Sequence, residues 1–396
     1  MKNENSRPHF QSIVTHADAD IEDGTNIAPS IHPTTTFYAR DAAEFAEMAN
    51  EPRHPRYYTR YGNPTHQRAE ATIAKLEGAE AALVMGSGMG AITTVMLALV
   101  SSGDHIVAQN NHYMGTTKLL TEVLTRLGVE VTLVDQTDPT AFERAIQPNT
   151  RLIMVESPVN PLLHVTDFKA VTAMAKARDI LTVADNTFAT PINQRPLAFG
   201  VDLVVHSATK YLGGHHDLTA GAVAGSQALI ERIWGTYVLV GSVMSAFDAW
   251  LLLRGLRTLP LRVRQHNQTA LAVAEFLAQH RAIEQVHYPG LEDHPQHDLA
   301  NAQMSPGFGG VLSFQLKGGY KETEQFMTRL NFIRQAVSLG GYETLAAHVA
   351  AMWGGTLSDE QLRTAGVEPN LVRFSTGLED AADIIADLEQ ALKLAS

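Results

Sequence analysis

The sequence predicts an α/β protein with a mainly parallel sheet covered on both faces in its larger part, followed by a smaller α+β domain. Two observations predict this. From Thr65 onward short apolar runs alternate with helical stretches of ten or more residues, and beyond about residue 257 strands and helices mix differently. Four of the apolar runs also end in polar or glycine-rich residues, and functional groups gather beyond such strand ends in open parallel sheets.

Residues 1–60 include "APSIHPTTTF" and "EPRHPRYYTRYGNPT", rich in proline, threonine and arginine and poor in core material. They read as an extended arm. Residues 61–256 form the main domain. There "THQRAEATIAKLEGA" predicts a helix, "AALVM" and "HIVAQ" strands, "GTTKLLTEVLTRLG" a helix and "VEVTLVD" a strand. "RLIMVESP", "LTVADN" and "DLVVHSATK" are further strands, with the helix "FKAVTAMAKARD" between the first two. In the domain 257–396, "GGVLSFQLKGG", "QAVSLGG" and "NLVRFSTG" read as strands and "KETEQFMTRL" and "DAADIIADLEQALKL" as helices.

The chain has 396 residues, 45% of them hydrophobic, so a sizeable core is expected. Forty-two acidic against 30 basic residues give a net charge of -12, with no basic block, which argues against nucleic acid and anionic membranes as partners. The absence of cysteine removes disulfides, thiolate metal sites and a cysteine nucleophile. With a polar start, "MKNENSRPHFQS", this composition suits the cytoplasm. Residues 83–103 are uncharged and long enough to span a bilayer, but "GSGMG" divides them into a strand and a helix of a soluble core.

Gly86-Ser87-Gly88-Met89-Gly90, between a strand and a helix, is either a phosphate cup or only a tight turn. Lys210, in "HSATKYLGG", is either a solvated lysine or an amine made reactive by burial. Asp185 either caps the next helix or faces a pyridinium nitrogen. Together these three describe the equipment of pyridoxal 5'-phosphate (PLP). "HYPGLEDHPQHD" packs three histidines and three acids into a proline-rich stretch, which reads as a surface turn and not a metal site. His215 and His216 are expected to line the cofactor loop.

The chain resembles the Cys/Met-metabolism (trans-sulfuration) enzymes of PLP-dependent fold type I along almost its whole length. The likeness rests on "YYTRYGNPT", "GSGMGAI", "HYMGTT", "ESPVNP", "ADNTFATP", "HSATKYLGGHHDLTAG", "LLLRGLRTL", "HYPGL", "GFGGVLSF", "SLGGYETL" and "LVRFSTGLED". It implies that Lys210 carries the cofactor as an imine and then moves protons, and that Asp185 pairs with the ring nitrogen. Gly88, Met89, Ser207 and Thr209 would bind its phosphate, joined by Tyr58 and Arg60 from a neighbouring subunit of a homo-oligomer, a dimer of dimers. Tyr113 would stack on the ring and handle protons, while Arg373, with Ser338 and Asn160, would hold the substrate carboxylate.

The activity implied is γ-elimination or γ-replacement on a sulfur or homoserine-derived amino acid, with methionine γ-lyase first. Cystathionine γ-synthase, cystathionine γ-lyase and O-acylhomoserine sulfhydrylase are the alternatives, and an aminotransferase of the same fold is the rival from another class. Val337 resembles the methionine γ-lyases, since cystathionine-handling members usually carry glutamate there. Thr116 stands where methionine γ-lyases have cysteine. Ala351-Met352-Trp353-Gly354 replaces a common Ser-Met-Thr-His, and Val349 a common proline.

Overall fold

The structure, a computed structural model, describes residues 8–21, 23–355, 362 and 366–393. The first seven residues of the arm and Leu394, the last residue of the expected C-terminal helix, lie outside the described residues.

Seven strands make the large sheet: β1 (Ala81–Met85), β2 (His105–Gln109), β3 (Glu130–Val134), β4 (Thr150–Glu156), β5 (Leu181–Asp185), β6 (Leu203–His206) and β7 (Gly221–Gly225). Their spatial order is β1-β7-β6-β5-β4-β2-β3. Strands β3, β2, β4, β5 and β6 run parallel, while β7 is antiparallel to both its neighbours. Because β7 reverses twice, β1 points the same way as β6. The carboxyl ends of β1, β4, β5 and β6 therefore share one edge.

Burial on both faces explains why these strands are continuous apolar runs. Every residue of β1, β2 and β7 is buried. The helix Gly88–Leu99 and the helix Gln227–Val240 cover one face, and Ile92, Met96 and Ile233 pack with Leu83, Met154 and Val205. On the other face the helix Phe168–Lys176 buries Phe168 and Val171 against Ile153 and Ala184.

β7 is a strand that the sequence pattern missed, because "GAVAG" lacks large apolar residues. Its glycines have a packing reason. A Cβ at Gly225 would meet a methyl of Leu203 at 2.6 Å and the Asp202 carbonyl at 2.8 Å.

The smaller sheet has five strands, β8 (Ile283–His287), β9 (Val311–Leu316), β10 (Arg334–Gln335), β11 (Leu345–His348) and β12 (Leu371–Ser375), in the order β10-β11-β12-β9-β8. Phe314, Phe326 and Phe374 form its core with Leu388 of the C-terminal helix Ala381–Lys393. The helix Leu259–Gln279 serves both units: Leu259 and Val263 pack with the large core, and Val273, Ala274 and Leu277 with the small one.

Three expectations need correction. Of "QAVSLGG" only Gln335 is strand, paired with Arg334 before it; beyond it Ser338 takes a φ of +83°, which breaks the pleat. The arm is extended only in part. A helix at Phe10–His16 buries Val14 in the main core, and Asp18 is anchored by Arg68 at 3.0 Å and Arg257 at 2.8 Å. The histidine-rich stretch is not a plain surface turn: Tyr288 is fully buried, its hydroxyl donating to the Gly309 carbonyl at 2.9 Å, and His294 is buried as well. Among the described residues no helix is long and apolar enough to cross a membrane, and residues 83–103 divide into β1 and the helix Gly88–Leu99.

Candidate active site

The shared edge of the large sheet faces residues of the small unit across a cavity of about 500 Å³. Each wall follows from a local rule of the chain.

At the end of β1, Ser87 caps the helix Gly88–Leu99, its hydroxyl accepting from the Gly90 N–H at 2.9 Å. The first N–H groups of a helix have no carbonyl partners within it, and here Gly88 and Met89 border the cavity. Glycine is required at 88 because a Cβ would stand 2.8 Å from the Cα and Cβ of Ser207. Backbone donors, the helix start and the Ser207 turn thus converge as a cradle for an anion.

Asp185 ends β5 as the first residue of a tight turn. Its Oδ1 accepts from the Thr187 N–H at 2.9 Å and from the Thr187 hydroxyl at 2.5 Å. Both bonds fall on one oxygen, which leaves Oδ2 for a ligand. Burial, and then the neighbouring Glu156, push this carboxyl up to about 6. A cationic partner placed there would restore full ionisation.

After β6 the chain turns through Ser207 to Lys210, with the Lys210 N–H donating to the Ser207 carbonyl at 3.0 Å. The Thr209 hydroxyl is engaged with both polar backbone groups of Ala220, accepting at 2.8 Å and donating at 3.2 Å. Lys210 Nζ donates to the Ser338 hydroxyl at 2.9 Å. Burial, helped by the positive charge of Arg373, lowers the Lys210 amine to about 8. A larger fraction is therefore an uncharged nucleophile at neutral pH than for an exposed lysine.

The opposite wall belongs to the small unit. Arg373 of β12, 7% exposed, donates to the Ser338 carbonyl at 3.0 Å and faces Asn160 Oδ1 at 3.5 Å. Among the described residues no carboxylate pairs with it, and burial brings it down to about 10. A buried guanidinium of this kind is suited to an incoming carboxylate. Val337, Met352 and Trp353 complete the wall and carry no charge.

The structure brings together Gly88, Met89, Tyr113, Asn160, Asp185, Ser207, Thr209, Lys210, Val337, Ser338 and Arg373, all bordering this cavity. Tyr58, Arg60 and Thr116 do not border it. Arg60 donates to the Val238 carbonyl at 2.7 Å and lies over the rings of Tyr58 and Tyr61, at the far end of the helix Gln227–Val240. Thr116 is buried in the turn after Tyr113. His215 and His216 also stand off the cavity, His216 packing against Tyr342.

Sequence reasoning did not assign Glu156, Thr187, Phe188, Met114 or Leu339 to the site, and all border the cavity. Thr187 was the legible one, since a threonine two residues after an aspartate is a turn signal.

Residues 11–393 match the family model described as Cys/Met metabolism PLP-dependent enzyme. The L-methionine gamma-lyase of Pseudomonas putida is 44% identical over 99% of this chain and 99% of its own. Cystathionine gamma-synthase 1, chloroplastic, of Arabidopsis thaliana is 41% identical over 96% of this chain and 68% of its own. Among solved structures, metB from Corynebacterium glutamicum superposes with a TM-score of 0.90 at 39% identity, covering 98% of this chain and 99% of that one. The chain belongs to the Cys/Met metabolism family of PLP-dependent enzymes, on the fold-type I architecture.

Proposed function

We propose that this enzyme is a carbon–sulfur lyase of the methionine γ-lyase type, converting methionine and water to methanethiol, ammonia and 2-oxobutanoate. The observation that carries the reading is the cavity itself. It sets Lys210, Asp185 and the carboxylate-seeking Arg373 together, with an uncharged wall of Val337, Met352 and Trp353.

The residues present fit PLP. The glycine-tight cradle at Gly88 and Ser207 suits its phosphate, Asp185 Oδ2 suits the ring nitrogen, and the lowered amine of Lys210 suits a covalent link. When bound, PLP supplies an electron sink for the charge left at the substrate Cα after its proton departs. Lys210 Nζ, held by the Ser338 hydroxyl at 2.9 Å, would take the Cα proton. Tyr113, whose ring is half exposed at the cavity, handles the proton at the departing sulfur. Arg373, Ser338 and Asn160 hold the substrate carboxylate, while the uncharged wall receives the thioether end.

A second reading, γ-replacement as in cystathionine γ-synthase, is favoured by the Arabidopsis relative, and it uses the same residues with a thiol as the last acceptor. The purified enzyme should be offered methionine, cystathionine and O-acetyl- and O-succinylhomoserine, with and without thiol, and its products identified by mass. Methanethiol and 2-oxobutanoate from methionine alone support the lyase; turnover only of activated homoserine with a thiol supports replacement.

The assembly is read as a homotetramer built from dimers, in the cytoplasm. The support for the assembly is that Tyr58 and Arg60 lie off their own cavity, while the family resemblance implies that they reach a neighbour's phosphate site. Residues 61–256 would be the cofactor-binding unit and 257–396 the unit that closes over the substrate.

A further inference from the structure

Arg262 is a buried cation that lies off the cavity, in the first turn of the helix Leu259–Gln279. It is 5% exposed, burial brings it down to about 10, and among the described residues no carboxylate pairs with it. A charge taken out of water is costly unless hydrogen bonds satisfy it. Here they come from two stretches of chain. Nε donates to the Thr258 hydroxyl at 3.1 Å and Nη2 to the Gly255 carbonyl at 2.7 Å, at the corner before its own helix. Nη1 donates at 2.7 Å to the carbonyl of Tyr211, the residue after Lys210, and Nη2 also stands 3.5 Å from the Leu212 carbonyl. Among the described residues no other donor reaches the Tyr211 carbonyl.

The chain is shaped around this contact. Gly214 has a φ of +73°, and a Cβ there would overlap Arg262 Nη1 and Cζ, so the turn passes the guanidinium as bare backbone. A Cβ at Gly255 would overlap the Gly213 carbonyl oxygen, so the helix Ala246–Arg257 presses on the same turn. Within the turn the Gly213 N–H donates to the Ala208 carbonyl at 2.8 Å and the Gly214 N–H to the Lys210 carbonyl at 2.7 Å. Tyr211 also reaches the small unit. Its hydroxyl accepts from the Gly310 N–H at 3.1 Å, and a Cβ at Gly340 would stand 2.8 Å from its ring. The residue that Arg262 grips is thus joined to Lys210 on one side and packed on the segment of Ser338, the partner of the amine, on the other.

We propose that Arg262 is a positioning residue: by holding the Tyr211 and Leu212 carbonyls against the corner at Gly255 and Thr258, it fixes the turn that bears Lys210 and so aims the amine at Ser338. The planar fork is needed, because an ammonium is a point donor and cannot span both stretches in the same way. The consequence for catalysis rests on the reading of Lys210 given above; the hold on the turn does not.

Two variants test it. Arg262→Lys keeps the charge and loses the fork, and Arg262→Met loses both. Amide hydrogen exchange is followed by mass spectrometry in the peptide carrying Gly213 and Gly214, with and without PLP, and should be roughly tenfold faster or more in both variants. Acetic anhydride labelling of Lys210 is then followed across pH in the PLP-free full chain. Its midpoint should move up from about 8 toward 10.5 in both variants, since an amine freed from its seat is better solvated. The titratable groups around that amine are Asp185, Glu156, Tyr113 and Arg373 across the cavity and His216 on its own loop, and neither variant alters them. Arg257→Met, which removes an arginine that holds Asp18 instead, is the control and should leave both readings at wild type. In the loaded enzyme kcat for methionine should fall by up to roughly a hundredfold in Arg262→Lys, because misplacement of about 1 Å costs that much.

Wild-type exchange at Gly213 and Gly214 in Arg262→Lys, a Lys210 midpoint that stays at its wild-type value there, or an equal shift in Arg257→Met overturns the proposal. If Arg262→Met does not fold, Arg262→Lys decides alone. Exchange and labelling are both read without substrate, so they decide the proposal even if Lys210 proves not to bear the cofactor.

Discussion

Lys210 is the residue whose environment matters most, and its lowered amine has a consequence for stability. An amine at about 8 in the fold and 10.5 in the open chain disfavours folding at every pH where the open chain is protonated. The penalty is absent above about 10.5, grows as pH falls toward 8, and is complete below that. Lys210→Met in the PLP-free protein should therefore be more stable than wild type at pH 7 by a fraction of roughly 3 kcal/mol, and the gap should close at high pH. Equal stability at both pH values, by denaturant unfolding, would show that the amine is not desolvated. Lys210→Ala should also abolish borohydride-fixed cofactor, and labelling at another lysine would reassign the link.

Val337 sits at the cavity mouth, two thirds exposed. A glutamate there would offer a distal ammonium a charge-assisted bond, worth roughly 1.5 to 3 kcal/mol, or about tenfold to a hundredfold. Val337→Glu should shift the ratio of kcat/KM for methionine to that for cystathionine toward cystathionine. An unmoved ratio places control elsewhere on the wall.

At the scale of elements, the short helix Val349–Trp353 brings Met352 and Trp353 to the cavity while its Val349 packs with Val367 and Leu371. Trp353→Ala should open that wall and raise kcat/KM for homocysteine thioethers bulkier than S-methyl relative to methionine; a fall for both alike would point to lost packing. Strand β7 makes a complementary prediction. Gly225→Val forces a branched side chain against Leu203 and the Asp202 carbonyl, and should lower stability by about 1 to 3 kcal/mol in thermal unfolding.

The elements that the sequence revealed are those whose burial demanded large apolar residues, such as "AALVM" and "LIMV". β7 was hidden because close approach of its neighbours demands small residues instead, and the run at 335–341 misled because hydrophobic alternation says nothing of the positive φ at Ser338. The site's sheet edge was legible from polar residues placed after apolar runs. The bond from the Tyr113 N–H to the Glu156 carboxylate was not, since no side-chain pattern records a backbone partner.

At the scale of the whole molecule, Arg60 and Tyr58 do not border the cavity described in their own subunit, which makes complementation the natural test of assembly. Arg60→Ala and Lys210→Ala chains, each inactive, should regain activity when co-assembled, because some cavities would then receive both intact contributions. No recovery in a verified mixed oligomer would sink the idea of a shared phosphate site.

The two walls of the cavity also lie far apart along the chain: Lys210 meets Ser338 across 128 residues, and Asn160 meets Arg373 across 213. Read in the order in which a ribosome delivers them, the floor of the site is finished when β7 emerges, long before Arg373, the proposed anchor for substrate, exists. A nascent chain can hold the anion cradle, the aspartate and the lysine while having nothing to grip an amino acid. On the roles proposed above, substrate recognition thus waits for β12, near the end of the protein's own synthesis.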